Sequence, residues 1–275
     1  MGLILDSASY AYGAGRPFEV PALVGVTLEV QRGSLTLVLG STGSGKSTLL
    51  KVAAGLLQAQ RGSVAIDGRP LTLDTARGSV GLVFQDPEAQ LFADTLLDDV
   101  AFGPKNLGLT PEEAQTSARD ALSEVGLDPV AYGARSPFSL SGGEARRAAI
   151  AGVLSMAPSY LLADEPTAGL DATGRAAVKR LLLAQRERAG VVVVSHAAEE
   201  FLGEADYLMI LDAGEVGWAG PAAAAIQSPE IFSAHGLRAP EVLEVQRIAA
   251  DAGHRFSRYT LDPDEAARML VGGGV

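Results

Sequence analysis

Leu35-Thr36-Leu37-Val38-Leu39-Gly40-Ser41-Thr42-Gly43-Ser44-Gly45-Lys46-Ser47 is an apolar run that breaks into a glycine-rich loop and a lysine. Residues 40 to 47 match G-x-x-x-x-G-K-[ST], and the preceding run supplies the strand that this motif needs. Glycines at 40, 43 and 45 admit backbone conformations that a side chain would forbid. The amide N–H groups of such a loop converge on an anion, and the helix predicted to start near Lys46 adds its positive end. Lys46 would then reach the β- and γ-phosphates of a nucleoside triphosphate, the Ser47 hydroxyl would ligate magnesium, and Thr48 would follow in the first turn. An accidental glycine-rich turn is the bland alternative.

The composition bounds what surrounds that loop. At 275 residues, 47% hydrophobic and 20% charged, the chain suits one large domain, or one large and one small. A net charge of −11 argues against a nucleic-acid surface, whose footprint is basic. The absence of cysteine excludes disulfides and thiolate metal sites. The start, Met1-Gly2-Leu3-Ile4-Leu5-Asp6, lacks the basic and long apolar regions of a signal peptide. The longest apolar stretch, Ala148 to Ala163, is interrupted by Gly152, Ser155, Pro158 and Ser159, too often to span a bilayer. Any membrane part would belong to another chain.

Outward from the loop, extended segments are expected at Leu3–Asp6, Val26–Val30 and Ser34–Leu39, then a helix to about Leu57. Strands follow at Ser63–Ile66 and Val80–Phe84, the first bracketed by Arg61-Gly62 and Asp67-Gly68 turns. From about 86 the texture becomes helical. Thr110-Pro111-Glu112-Glu113 combines a capping threonine, a first-position proline and a glutamate at the third helical position. Apolar runs return at Tyr160–Ala163, Val191–Val194 and Tyr207–Leu211 with helices between, which argues a parallel α/β core. After Gly220 the chain turns alanine-rich and helical. Val242, Val245, Ile248 and Ala249 have helical spacing, expected to mark core packing, with a partner surface as the alternative. Gly272-Gly273-Gly274 reads as a frayed end.

Tyr160-Leu161-Leu162-Ala163-Asp164-Glu165 ends a strand in two acids. Beside a phosphate loop, Asp164 is placed to anchor magnesium and Glu165 to accept a proton from attacking water. Between the two motifs lies Leu140-Ser141-Gly142-Gly143-Glu144, opening a helix whose N–H groups and dipole form a second anion site. With Gln85 after a strand, Asp171 in Ala168-Gly169-Leu170-Asp171, and His196 in Val194-Ser195-His196, the set resembles ATP-binding cassette proteins over residues 3 to 220.

That resemblance implies an α/β P-loop NTPase cassette over 1–220. It would hold a RecA-like parallel core, an antiparallel β subdomain and an α-helical signature subdomain at about 86–155, with a mostly helical extension over 221–275. It implies two cassettes paired head to tail, each loop trapping ATP and Mg2+ against the other's Ser141-Gly142-Gly143-Glu144. Gln85 would contact magnesium or water, His196 would hold the γ-phosphate, and Asp171 would communicate across the pair. Tyr12 lies where the family carries an aromatic that stacks on adenine; a packing role beside Tyr10 is the alternative. His235 and His254 are left structural. The signature usually ends in Gln. Glu144 removes a donor and adds charge, and its place one residue past the N–H cluster predicts tolerance rather than inactivation.

Phe84-Gln85-Asp86-Pro87-Glu88-Ala89-Gln90-Leu91-Phe92, with Asp98-Asp99-Val100-Ala101-Phe102-Gly103-Pro104, is similar to the ATPases of energy-coupling factor transporters, importers of vitamins and of cobalt or nickel. There the ATPase is a separate chain, peripheral on the cytoplasmic face of the membrane. It docks on a transmembrane scaffold that also carries a substrate-binding membrane subunit. Leu91, Phe92 and Phe102 are candidate contacts to that scaffold, with core burial the alternative for each. The helical tail would keep cassettes paired without nucleotide. The interval from 86 to 139 leaves no room for the long coiled coil of chromosome-maintenance cassettes. A translation or resistance factor would carry two cassettes in one chain. The ATPase of an ordinary importer for amino acids, metals or other small solutes is the runner-up.

Overall fold

The structure, a computed structural model, describes residues 1–272; residues 273–275, which include Gly273 and Gly274 of the run expected to fray, lie outside the described residues. The chain opens with β1 (Gly2–Tyr12), β2 (Val20–Gln31), β3 (Leu35–Leu39), α1 (Lys46–Ala53), β4 (Arg61–Ile66), β5 (Arg69–Pro70), α2 (Leu73–Ala76) and β6 (Val80–Val83). A helical stretch follows: α3 (Leu96–Asn106), α4 (Pro111–Glu124), α5 (Pro129–Tyr132) and α6 (Gly142–Leu154). Sheet and helix then alternate through β7 (Tyr160–Asp164), α7 (Ala172–Gln185), β8 (Gly190–Val194), α8 (Ala198–Phe201), β9 (Tyr207–Asp212) and β10 (Glu215–Pro221). The tail is helical: α9 (Ala222–Gln227), α10 (Glu230–Ala234), α11 (Glu241–Asp251) and α12 (Pro263–Gly272).

Two sheets organise this chain. A four-stranded antiparallel sheet runs β2-β1-β4-β5, and a six-stranded sheet runs β10-β9-β3-β8-β7-β6. In the larger sheet every pairing is parallel except β10 with β9. Its central strands are buried on both faces, which is why β3, β7 and β8 read as unbroken apolar runs rather than alternations. Leu35, Leu37 and Leu39 face the helices α3, α4, α6 and α7, whereas Val38 faces α1 and the antiparallel sheet. Helix α1 is thus sandwiched, with Leu49, Leu50 and Val52 buried against both sheets.

The Thr110 expectation is met in atomic detail: its hydroxyl accepts from the Glu113 N–H, and the Glu113 carboxylate accepts from the Thr110 N–H at 2.9 Å. Two other expectations need correction, and one strand had no expectation at all. Helix α1 stops at Ala53, four residues before Leu57. Strand β10 has alternating burial without a dense apolar run, and its pairing with β9 is supplied by the neighbour rather than by its own sequence. On α11 the buried side chains are Leu243 and Gln246, while Val245 and Ile248 point outward at 52% and 55% exposure. The apolar spacing there marks an open face instead of core.

Candidate nucleotide site

The parallel strands end level with one another. Val38 of β3 pairs with Val194 of β8, which pairs with Asp164 of β7, so the loop after β3, the acids after β7 and the histidine after β8 emerge at one edge. The carboxyl ends of parallel strands are where α/β sheets leave a crevice for ligands. Backbone bonds lock the level: Glu165 N–H donates to the Val194 carbonyl at 3.0 Å, and Ser195 N–H to the Val38 carbonyl at 3.2 Å.

In the phosphate loop, Gly45 has φ 103° and a Cβ there would sit 2.3 Å from the Ala22 carbonyl oxygen. At Gly40 a Cβ would meet the Leu211 carbonyl oxygen at 2.3 Å. Both positions therefore require glycine, for close approach as much as for conformation. Helix α1 begins with no side-chain cap, leaving its first N–H groups directed into the loop. Lys46 Nζ donates to the carbonyls of Gly40 and Ser41, both at 2.8 Å, drawing the loop round its own ammonium. Ser41, Thr42 and Gly43 form the exposed rim, Ser44 lies beneath it, and Ser47 is exposed at the helix start.

Burial lowers the Lys46 pKa, against the attraction of Glu165 and Asp164. Burial likewise raises the Glu165 carboxyl to about 7; the His196 backbone N–H and Lys46 pull it down, while Asp164 and Glu200 push it up. His196 Nε2 lies 3.0 Å from Glu165 Oε1, at an angle that leaves Oε1 buried without a formed hydrogen bond. The His196 imidazole is held below its usual pKa by burial first and by the Lys46 charge second. Glu165 also adopts φ 48°, a conformation costly for a side-chain-bearing residue and concentrated at functional positions. The Ser44 hydroxyl is the other buried atom lacking a partner among the described residues. One orphaned oxygen in the phosphate loop and one just after the end of β7 fit an absent polar ligand. The donor set suits Mg2+: a carboxylate from Asp164 and a hydroxyl from Ser47, leaving positions for phosphate oxygens and water.

Tyr12, 42% exposed, sets its hydroxyl 3.3 Å from Thr48 Oγ1 at the loop helix and packs edge-on against Tyr10. Its ring is open to a base while its hydroxyl is tethered. The signature residues form a second locus. Ser141, Gly143 and Glu144 line a cavity of about 460 Å3 with Asp171, and no phosphate-loop residue borders it. Gly142, exposed, opens α6. Asp171 caps α7, accepting from the Gly174 N–H at 2.7 Å. His235 and His254 lie in neither locus; His235 sits 3.6 Å from Asp212.

Sequence reasoning passed over Arg146. Only 5% exposed, its guanidinium donates to the carbonyls of Gln85 at 3.0 Å, Pro166 at 3.4 Å and Ala168, with Glu88 3.7 Å away. One side chain on the signature helix therefore ties the exposed Gln85 to the turn after Glu165. Its signal was available: a charged residue on the buried face of an otherwise apolar helix needs partners. Tyr132 was missed as well; its hydroxyl donates to Glu144 Oε1 at 2.7 Å.

Comparison with known proteins identifies the family and the fold. A model described as ABC transporter matches residues 23–168. The energy-coupling factor transporter ATP-binding protein EcfA2 of Streptococcus sanguinis (strain SK36) is 43% identical, the match covering 99% of this chain and all of that protein. The EcfA2 of Streptococcus pyogenes serotype M5 (strain Manfredo) is 38% identical with the same coverage. Among solved structures, cbiO1 from Clostridium perfringens, part of the ABC transporter complex cbiONQ, has a TM-score of 0.73 at 31% identity over 89% of this chain and 98% of that one. The post-hydrolysis dimer of the cassette MJ0796 bound to ADP and Pi has a TM-score of 0.71 at 28% identity, covering 80% and 98%. A phosphate loop, an acidic strand end and a capped signature helix on this sheet, with full-length likeness to those proteins, place the chain in the ABC transporter family of ATPases, among the energy-coupling factor transporter ATP-binding proteins.

Proposed function

We propose that the chain is the ATP-hydrolysing subunit of an importer for a vitamin or transition-metal ion, peripheral on the cytoplasmic face of the membrane. It would act through a transmembrane scaffold and a substrate-binding membrane subunit. The observation that carries this reading is the separation of the two anion loci. Lys46, Asp164, Glu165 and His196 gather at one strand edge, while Ser141, Gly143 and Asp171 line a cavity that no phosphate-loop residue borders. Two such cassettes paired head to tail complete two sites, with ATP as the shared ligand; its arrival closes the pair and its hydrolysis releases it. Whether the second cassette is an identical chain or a paralogue does not alter this geometry.

In the closed site the loop N–H groups and Lys46 hold the β- and γ-phosphates, and Tyr12 stacks on adenine. Glu165 takes the proton as water oxygen bonds to the γ-phosphorus. The bond from that phosphorus to the β,γ-bridging oxygen breaks, giving ADP and phosphate. His196 holds a γ-phosphate oxygen and Gln85 orients the water. Bound Mg2+, on Ser47, Asp164 and Gln85, would neutralise charge on the phosphates.

Among the described residues no helix is long and apolar enough to cross a membrane, so docking falls to the surface. Phe92 and Phe102, 58% and 49% exposed, pack edge-on at 4.9 Å beside a groove of about 410 Å3 that Leu91 also lines. Asp99 fixes the Phe92 loop by accepting from the Phe92 and Ala93 N–H groups at 2.7 and 2.8 Å. Affinity purification of the tagged chain from its host membranes tests the reading. A multi-spanning scaffold and a small substrate-binding membrane protein are expected. Recovery with only an extracellular solute receptor's permease would contradict it.

A further inference from the structure

The Ser141 hydroxyl is already engaged. It donates to Glu144 Oε2 at 2.7 Å, and the Ser141 N–H donates to the same oxygen at 2.8 Å. The other carboxylate oxygen accepts from the Tyr132 hydroxyl at 2.7 Å, and the Arg135 guanidinium lies over the Tyr132 ring at 4.9 Å. Glu144 is thus pinned at both oxygens, with one rotamer aimed at the serine. The Tyr132 bond first, and the Ser141 bonds second, hold its carboxyl down at about 2, so it is an anion at any physiological pH. Such bonds to an ionised oxygen are about twice as strong as neutral ones.

The cavity beside Ser141 carries one positive side chain, Arg147, and two negative ones, Glu144 and Asp171. A lining with excess negative charge opposes a phosphate. A glutamine at 144 would offer a donor and leave the lining balanced. We propose that Glu144, locked by Tyr132, competes with the incoming γ-phosphate for the Ser141 hydroxyl proton, and so sets how tightly this signature grips the opposing cassette's ATP. Tyr132 is a positioning residue in this scheme: it acts only through the carboxylate. Closure then requires Ser141 to exchange one anionic acceptor for another. The inference rests on the head-to-tail reading above, because only an opposing cassette brings phosphate to this cavity.

The test is the ATP dependence of turnover by the purified transporter complex, for the parent, Glu144→Gln and Tyr132→Phe. Each is compared with MgATP binding to the corresponding isolated chain. Replacing the ionised acceptor of the Ser141 hydroxyl by a weaker neutral one and removing one charge should lower KM for ATP about fivefold in Glu144→Gln, relative to the isolated-chain affinity. Tyr132→Phe, which unpins the carboxylate but keeps its charge, should fall between. Thermal stability should fall slightly in both, since Glu144→Gln puts a neutral acceptor in the cap of α6 and Tyr132→Phe removes the hydroxyl that holds that carboxylate. An unchanged or raised KM alongside a lowered melting temperature would reduce Glu144 to a helix cap and overturn the proposal. A parent complex with no ATP turnover would instead overturn the functional reading on which it rests.

Discussion

At the scale of single residues, Glu165 carries the most physics. Burial disfavours its charge and pushes its carboxyl up to about 7 in the folded chain, from an ordinary 4.5. Between those values the native state holds a proton that the unfolded state has released. Its contribution to stability is therefore full below about pH 4.5, falls as pH rises, and is gone above about 7. The ionised form costs the fold about 3 kcal/mol. Glu165→Gln should flatten that part of the stability profile and raise the melting temperature of the nucleotide-free protein at pH 8 by several degrees. Thermal unfolding of parent and variant from pH 5 to 8 checks this, and parallel profiles would refute it. The same substitution should reduce turnover at least a hundredfold with ATP still bound, as loss of a general base does. Lys46 is the complement. Lys46→Ala removes the ammonium that bonds the Gly40 and Ser41 carbonyls and should weaken MgATP binding at least tenfold by calorimetry.

Among the elements, Arg146 joins three segments that chain order keeps apart: helix α6, the Gln85 turn after β6 and the turn after β7. Arg146→Met would strand three carbonyls and should cost about 3 kcal/mol in chemical denaturation. Turnover should fall by more than ATP affinity does, because Gln85 loses its tether while the phosphate loop is untouched; equal losses in both would contradict the coupling. This is also the scale at which the sequence is least complete as a guide. The loop, the acidic strand end and the signature were legible because each needs particular residue types at fixed spacing. The Thr110 cap was legible because capping chemistry is local. Strand β10 was not, since its pairing comes from β9, and α11 misled because helical spacing states which residues share a face but not what that face meets. Arg146 signalled only that it needs partners, not which ones, and Tyr132 gave no signal, for a related reason: their partners are brought near only by the fold.

For the molecule as a whole, the proposed function assigns chemistry to the sheet edge and docking to the groove at Phe92 and Phe102. Phe92→Glu, at an exposed position outside the nucleotide site, should abolish recovery of the membrane chains while the isolated chain still binds MgATP. Unimpaired recovery would place the docking surface elsewhere. In the head-to-tail pairing proposed above, this chain supplies half of each of two ATP sites. Sedimentation of Glu165→Gln, together with whichever cassette co-purifies with it, tests that pairing. MgATP should convert the material to a tight pair of cassettes that ADP does not form. A mass that MgATP leaves unchanged, with nucleotide shown to be bound, would contradict the account.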